Sequence, residues 1–423
     1  MAPGPPERRP LRDGHVALAA GLVLALLCAG ILPVWWLSLH TPLRLVDDYG
    51  ASFELWDRPL RDHLAANLLP SEEESRFRPT YELGQMVAFG LFGADYRGHH
   101  ALRLLLKVLA FAALLGVAFR RLEGAAGAAL PAPLRWVTAA FAFALFFYFP
   151  NNPEARLTPQ ELPTVACFLG CLFFLDRREE KDRPLRDDLL ALGCFALGLW
   201  SKEPNVIPGA VLLYAALAAT ARGRTRAVSS LRIAYVVLWA HAVMKDAVIM
   251  ALGGYGRPHL GPAEVAAMAR EIPRQVLLGA TAPWLPGLFA IGLAAFVWLG
   301  ARRAATRPAR RQSILLLALA LAFVAQYLLL PGAVLRYAYP AAVMVVLLTV
   351  IGFGLLLAAS PSERGRRRRE LALAALALAF ALACYRDMTA QFATQYVAGW
   401  TETAMLERVE RLQAAIPAPA SSW

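Results

Sequence analysis

Long uninterrupted apolar runs, separated by short charged connections, are the main pattern along this chain. The runs do not alternate with polar positions at the period of a helix or a strand, so they have no polar face to turn to water. Lipid is therefore their expected solvent, and a helix needs about 20 apolar residues to cross it. We predict an all-α polytopic membrane protein with eleven transmembrane helices, at about residues 15–39, 100–119, 136–150, 161–175, 188–201, 205–220, 232–252, 280–300, 313–331, 340–359 and 371–385.

The composition agrees with this fold class and excludes an ordinary soluble enzyme. Hydrophobic residues make up 58% of the 423 residues and charged residues 17%, against roughly 25% charged in soluble domains. The mean hydropathy is +0.47. The first apolar run is too long for a signal peptide and ends in the Trp35–Trp36 pair without a small-residue cleavage site, so we predict a retained first helix.

The distribution of basic residues predicts the orientation of the chain in the membrane. The net charge of +12 could suggest nucleic acid as a partner, but the basic clusters lie in short connections that are two crossings apart. The positive-inside rule explains that spacing, and a nucleic-acid groove does not. With the N-terminus in the cytoplasm, the cytoplasmic segments hold more than half of the 43 Lys and Arg residues, and the outer segments are net negative. The prediction is N-terminus in, C-terminus out, and no nucleic acid.

Three regions follow from this topology. Residues 1–14 form a cytoplasmic tail, residues 15–385 the transmembrane domain, and residues 386–423 an interfacial helix and tail on the outer face. The first outer loop, about residues 40–99, is long and contains an amphipathic stretch from Tyr81 to Phe92. The fifth and sixth crossings are short and meet at Ser201-Lys202-Glu203-Pro204, where the proline forces a turn.

Metal and disulfide chemistry are not predicted. The five cysteines lie within or at the edge of apolar runs, where they behave as small apolar residues. His99 and His100 have no third ligand at metal spacing.

Asp47 and Asp48, in "RLVDDYG", are the first candidates for chemistry. They follow the first crossing by eight residues, so we expect them just outside the membrane surface. A carboxylate there could act as a general base on an acceptor hydroxyl, and its neighbour could orient it or shift its pKa. The alternative is a solvated loop pair without a catalytic role.

Two cations in outer turns are candidates for phosphate binding. Lys202, in "WSKEP", could bind a lipid phosphate as a compact point charge, or it could form a salt bridge with Glu203 or extend to the headgroups. Arg336, in "LPGAVLRYAYP", could bind phosphate in a bidentate manner with Tyr337 beside it, or it could be an interfacial anchor.

Charged residues within the predicted crossings form a third group. Arg103 and Lys107 share one face of the second crossing, and Lys245 and Asp246 lie in the seventh. Such charges cost about 2.5–3.5 kcal/mol each on insertion scales, so they usually line a bundle interior or a cavity. A structural ion pair and a substrate contact are both consistent with the sequence.

Together these motifs resemble the integral-membrane glycosyltransferases of the GT-C class, which use polyprenyl- or dolichyl-phosphate sugars. The class has an acidic residue or pair in the first outer loop, matched by Asp47 and Asp48. The stretch "FRPTYELGQMVAFGLFGADYRGHHALRLLL" is similar to the "RPL…LFG…GYH" segment of O-mannosyl-type members, with matches at Arg78, Pro79, Phe92, Gly93 and His100. "GLWSKEPNVIPGAVLLY" and "LRYAYPAAVMVVL" resemble later segments of the class.

The resemblance implies roles for several residues. In the aminoarabinose-transferase relatives the lysine matched by Lys202 contacts donor phosphate, and Arg336 with Tyr337 would lie near the same phosphate. Arg78, His100, Arg103 and Glu203 would line the substrate cavity. Where many relatives have Asn and a second His after the His100 position, this chain differs and has Arg103 and Lys107.

The implied function is transfer of a sugar from a polyprenyl-phosphate donor to a hydroxyl of a protein, lipid or polysaccharide. We expect the site on the periplasmic or outer face of a bacterial inner (plasma) membrane. A divalent metal is possible but not predicted, because the leaving group is already a phosphate. The alternatives are a transporter or flippase of a lipid-linked anion, a polysaccharide ligase or polymerase, and a non-enzymatic scaffold.

Overall fold

The computed structural model describes residues 11–41, 78–93, 95–127, 129–149, 161–176, 185–202, 205–220, 226–251, 263, 266–267, 284–302, 307–326, 339–359 and 362–415. The helices longer than one turn in these ranges are α1 Leu11–Leu39, α2 Pro79–Phe92, α3 Tyr96–Ala126, α4 Ala132–Phe147, α5 Glu161–Asp176, α6 Leu185–Leu199, α7 Val206–Thr220, α8 Arg226–Ala251, α9 Leu285–Ala295, α10 Arg307–Ala325, α11 Tyr339–Ala358 and α12 Glu363–Ala415. A π-helical stretch, Phe296–Arg302, continues α9.

The all-helical prediction is confirmed over these ranges, and each of the eleven predicted crossings overlaps a helix in its described part. In the described part of the chain, four helical segments are long and apolar enough to span a bilayer: Gly14–Leu39, Tyr96–Ala126, Tyr339–Ala358 and Glu363–Met405. Shorter apolar helices cover Ala132–Phe147, Val206–Ala219 and Pro286–Gly300. The chain is therefore an integral membrane protein, while the number of crossings and the orientation of the termini stay predictions.

Helix α11 forms the centre of the bundle. Its sequence is apolar on every side, which is typical of a helix that has protein neighbours all round. It packs against α3, α4, α5, α9 and α10, and 83% of its most apolar stretch is buried within the protein. The closest approach is to α9, where a Cβ added at Gly352 would lie 2.0 Å from the carbonyl oxygen of Gly292.

Helix α1 packs against α4 and α12 and is tied to the bundle through its backbone carbonyls. The Tyr148 hydroxyl, at the end of α4, donates to the carbonyl oxygen of Leu27 at 2.6 Å. At the end of α1, His100 of α3 contacts the carbonyl oxygen of Thr41 at 2.8 Å. The position of the last described residue before the first outer loop is therefore fixed by α3.

Helix ends that the topology assigns to the cytoplasm lie together. Arg121, near the end of α3, forms an ion pair of 2.5 Å with Asp176, the last residue of α5. Arg311 of α10 donates to the Tyr214 hydroxyl of α7 at 3.1 Å. We call this the Arg121 end of the bundle, and the opposite one the Lys202 end. The predicted alternation of helix directions agrees with this grouping.

Helix α12 differs from the prediction of a crossing at 371–385 followed by a separate interfacial helix. It is one helix of 53 residues, Glu363–Ala415, which at 1.5 Å per residue is about 80 Å long. The sequence from Arg386 to Gln391 contains neither glycine nor proline, so nothing in it interrupts the helix.

Candidate functional site at the Lys202 end

Lys202 forms a buried ion pair with Glu161. Its Nζ lies 2.5 Å from Glu161 Oε1, and the two residues are 5% and 3% exposed. Glu161 is the first residue of α5, and Lys202 follows the end of α6. Helices α5 and α6 pack side by side along their length, which brings together two residues that are 41 positions apart. The pair carries no net charge in a region that excludes water.

A network of neutral hydrogen bonds fixes the turn that carries Lys202. Asn205 Nδ2 donates to the carbonyl oxygen of Gly198 at 2.7 Å and to Ser201 Oγ at 3.0 Å. It also lies 3.1 Å from Thr164 Oγ1, one turn along α5 from Glu161. Thr164 and Ser201 share a hydroxyl–hydroxyl bond of 2.6 Å. All three side chains are buried, so this network fastens Ser201 and Asn205 to α5.

Helix α2 connects two parts of this end. At its start, the backbone N–H of Thr80 donates to the carbonyl oxygen of Trp200 at 3.0 Å. The half-buried Arg78 immediately precedes α2, so the "RPT" segment lies against the "WSK" segment. At the other end of α2, His99 Nε2 contacts the carbonyl oxygen of Gly93 at 2.9 Å. Helix α2 therefore links the segment that contains Lys202, which it contacts at its start, to the segment that contains His99 and His100.

His100 and Arg103 form the second cluster, on α3. A carbonyl oxygen only accepts hydrogen bonds, so His100 Nε2 donates to Thr41, and His100 Nδ1 accepts from the Arg103 guanidinium. Both residues are buried, as the sequence predicted for Arg103. Thr41 precedes Asp47 by six residues. This cluster therefore holds the backbone from which the acidic loop begins.

Lys107 lies one turn deeper in α3 and is fully buried. Its Nζ is 5.2 Å from the ring centre of Phe147 and 5.8 Å from that of Phe146. Cation–π contact of this kind partly offsets the loss of hydration. On α8, Lys245 and Asp246 are also buried, at 3% and 7% exposure. The prediction that these intramembrane charges face the bundle interior is confirmed for all four residues.

Several predicted site residues lie outside the described ranges: Asp47, Asp48, Glu203, Arg336 and Tyr337. Of the others, the segments that contain Arg78 and Lys202 meet through the Thr80–Trp200 hydrogen bond, and His100 and Arg103 contact each other beside Thr41, which follows α1. Whether one cavity joins them with the acidic pair and Arg336 stays a prediction.

Sequence reasoning missed Glu161, and it named Glu203 as the ion-pair alternative for Lys202. A signal was present, because Glu161 begins an apolar run on the side of the membrane that was assigned to Lys202. Within the described ranges, no group of three or more His, Cys, Asp or Glu residues has the arrangement of a metal site. Metal dependence is untested by this finding.

No protein-family model and no curated protein sequence matches the chain. Among solved structures, the chain is similar to ArnT from Cupriavidus metallidurans in the apo state, with a TM-score of 0.50 and 15% identity. The match covers 91% of this chain and 78% of ArnT. The chain has an ArnT-like fold. The GT-C resemblance is thereby confirmed at the level of the fold.

Two further structures are less similar. ArnT from the same organism bound to undecaprenyl phosphate has a TM-score of 0.49 at 16% identity and covers 90% of this chain and 77% of its own. The oligosaccharyltransferase from Archaeoglobus fulgidus, in complex with Zn and sulfate, has a TM-score of 0.45 at 17% identity. That match covers 74% of this chain and 44% of the oligosaccharyltransferase.

Proposed function

We propose that this protein is a membrane glycosyltransferase that moves a sugar from a polyprenyl-phosphate donor to an acceptor hydroxyl on the non-cytoplasmic face. The ArnT-like fold supports the class of enzyme. The donor class follows from the motifs that resemble GT-C enzymes. The acceptor is a protein, a lipid or a polysaccharide, and the site is on the periplasmic face of a bacterial inner membrane.

The observation that carries this proposal is the contact between α2 and the Lys202 turn. The Thr80–Trp200 hydrogen bond joins the segment with Arg78 to the segment with Lys202. Both segments match the GT-C motifs in sequence, yet they are more than 100 residues apart. A fold that brings matching motifs together supports a shared site better than either motif does alone.

The proposed reaction is a single displacement at the anomeric carbon. The acceptor oxygen forms a bond to that carbon as the bond from the carbon to the phosphate oxygen breaks. Asp47 or Asp48 takes the proton of the acceptor hydroxyl. Lys202, with Arg336 and Tyr337, stabilises the charge that grows on the leaving polyprenyl phosphate. Arg78, His100, Arg103 and Glu203 line the cavity.

The Glu161 ion pair is compatible with this role of Lys202. An ammonium has three N–H donors, so a bond to Glu161 and a bond to a phosphate oxygen can coexist. Glu161 compensates the buried charge of the lysine and holds its ammonium against the start of α5 while the site is empty, because an isolated buried charge is costly.

The test is an assay of purified protein with labelled polyprenyl-phosphate sugars, in which released or transferred sugar is measured. We expect turnover by the wild type and a loss of about 100-fold or more in one of Asp47→Asn and Asp48→Asn, as for removal of a general base. Arg310→Gln serves as a control, because Arg310 is exposed on α10 at the opposite end. Equal turnover in both Asp variants and the wild type would contradict the base assignment.

A transporter of a lipid-linked anion is the second candidate, favoured by the depth of the cations on α3. Arg103 and Lys107 are successive buried cations that lead from the Lys202 end into the bundle. Reconstitution into vesicles separates the two functions. A transporter moves the labelled lipid between leaflets and leaves its sugar–phosphate bond intact, whereas a transferase breaks that bond.

A further inference from the structure

The first turns of α12 carry an excess of exposed positive charge. Five arginines lie between Glu363 and Glu370. Two of them form ion pairs on the helix, Arg367 with Glu363 at 3.2 Å and Arg366 with Glu370 at 3.6 Å. The other three, Arg364, Arg368 and Arg369, are exposed. The carboxylates of this helical segment thus offset two of its five positive charges.

The exposed face of α12 changes from basic to apolar within one turn. Arg364 and Arg368 are four residues apart, and Leu371 follows three residues later, so the three side chains share one face. Leu371 is 46% exposed, and Leu382, on the same face, is 68% exposed. A face with arginines beside exposed leucines has the chemistry of the boundary between lipid headgroups and acyl chains.

The dimensions of this face match a bilayer. Arg386 is exposed on the same side of α12, 18 residues after Arg368, which corresponds to about 27 Å along a helix. The hydrocarbon core of a bilayer is about 30 Å thick. With the apolar stretch in the hydrocarbon, Arg364 and Arg368 lie at the level of the headgroups of one leaflet.

The position of the arginines within the helix also favours an external anion. The start of a helix carries a partial positive charge from its backbone N–H groups, so acidic residues are usual there and cations are unfavourable. Ser362 provides only a local cap, by accepting from the N–H of Gly365 at 3.1 Å. An anion bound beside Arg364 and Arg368 offsets both the side-chain charge and the helix dipole.

We propose that Arg364 and Arg368, with Arg369 beside them, bind the headgroup phosphate of an anionic phospholipid whose acyl chains lie along Leu371. The binding surface lies at the Arg121 end of the bundle, because α12 begins five residues after the end of α11, whose Gly354 lies against Leu122 of α3. The predicted orientation makes this the cytoplasmic leaflet. This surface is separate from the proposed transferase site.

The test measures lipid binding to the full-length purified protein by native mass spectrometry, with phosphatidylglycerol and phosphatidylcholine as probes. Each basic residue contributes about a fivefold gain in affinity for an anionic lipid surface. We therefore expect wild-type protein to prefer phosphatidylglycerol, and R364Q/R368Q to bind it about thirtyfold more weakly. R408Q/R411Q removes two exposed arginines of α12 that lie about 60 Å farther along the helix, beyond the bilayer core, and its affinity should fall less than threefold.

A lysine variant and a competition with inorganic phosphate also test the proposal. R364K/R368K keeps both charges, so it should retain the preference and gives a result even if the glutamine variant fails to fold. Inorganic phosphate at millimolar concentration should not displace phosphatidylglycerol, because it lacks the acyl contact with Leu371. Equal affinity in the two double glutamine variants, no preference in the wild type, or full displacement by inorganic phosphate would each overturn the proposal.

Discussion

Lys202 Nζ lies 2.5 Å from Glu161 Oε1, and both side chains are withdrawn from solvent. Two opposite roles of this pair are physically reasonable. As a structural ion pair it would only fasten α6 to α5. As part of a phosphate site it would hold a cation where the donor phosphate binds. The two roles predict different consequences when the charges are exchanged between the positions.

Exchange of the two charges separates these roles. Lys202→Met or Glu161→Leu alone leaves one buried charge without its partner, so each should destabilise the protein by about 3–5 kcal/mol. Lys202→Glu combined with Glu161→Lys restores an ion pair and should recover about half of that loss. It should not restore sugar transfer, because the cation then sits on α5. Thermal unfolding in detergent and the donor assay measure the two effects.

The Arg121–Asp176 pair is the matched control for this exchange. It has the same 2.5 Å separation and similar burial but lies at the opposite end of the bundle. Arg121→Asp with Asp176→Arg should recover stability and also keep transfer activity. If the Lys202–Glu161 exchange keeps full activity as well, Lys202 is not the phosphate ligand.

The contact between α9 and α11 predicts a severe packing defect at a single position. In Gly352→Ala, the new methyl group would lie 2.0 Å from the Gly292 carbonyl oxygen, so one helix has to move. Overpacking of this kind costs about 1–3 kcal/mol or more. Gly287→Ala, on the exposed face of α9 with no atom within 4 Å, should leave the melting temperature unchanged or slightly raised. Similar melting temperatures for the two variants would mean that the helices are farther apart.

The helices could be predicted from the sequence because each apolar run has to satisfy its own backbone hydrogen bonds in lipid. That constraint is local. The burial of Arg103 and Lys107 was likewise predicted from local sequence, because both lie within a single apolar run, the second predicted crossing. The continuity of α12 was missed because interfacial amphipathicity after Tyr385 suggested a new element, although no residue there breaks a helix.

The residues that Lys202 and Thr80 contact could not be predicted from the sequence, because these contacts depend on how the helices pack. Glu203 is adjacent to Lys202 in sequence, but the structure gives Lys202 a partner on α5, 41 residues earlier. The contact of Thr80 with Trp200 likewise depends on where α2 lies. Nothing in the local sequence of either segment specifies such contacts.

His100 should support catalysis through the start of the acidic loop. His100→Phe removes the hydrogen bond to Thr41 and should cost about 1–3 kcal/mol, since it leaves buried polar groups unsatisfied. If Asp47 or Asp48 is the base, loosening the end of α1 should also lower kcat while KM for the donor changes less. Steady-state kinetics in detergent, beside thermal unfolding, measure these quantities.

Tyr148→Phe provides a matched control for His100→Phe. It removes a buried hydrogen bond to the same helix, at Leu27, far from the acidic loop. Stability should fall by a similar amount, and kcat of the folded fraction should stay within about twofold. An equal loss of kcat in both variants would show that His100 acts only through the general stability of α1.

The length of α12 gives a direct test of the orientation of the chain. Ser362 and Arg411 are exposed residues near its two ends, separated by about 73 Å along a helix, which exceeds the full thickness of a bilayer of about 40–45 Å. In a background that lacks the five native cysteines, Arg411→Cys in intact cells should react with a membrane-impermeant maleimide. Ser362→Cys should react only after the cells are opened. The reverse pattern would invert the predicted topology and move the Lys202 end to the cytoplasm, where the proposed outer-face transfer could not occur. Labelling of both positions in intact cells would mean that α12 does not cross the membrane.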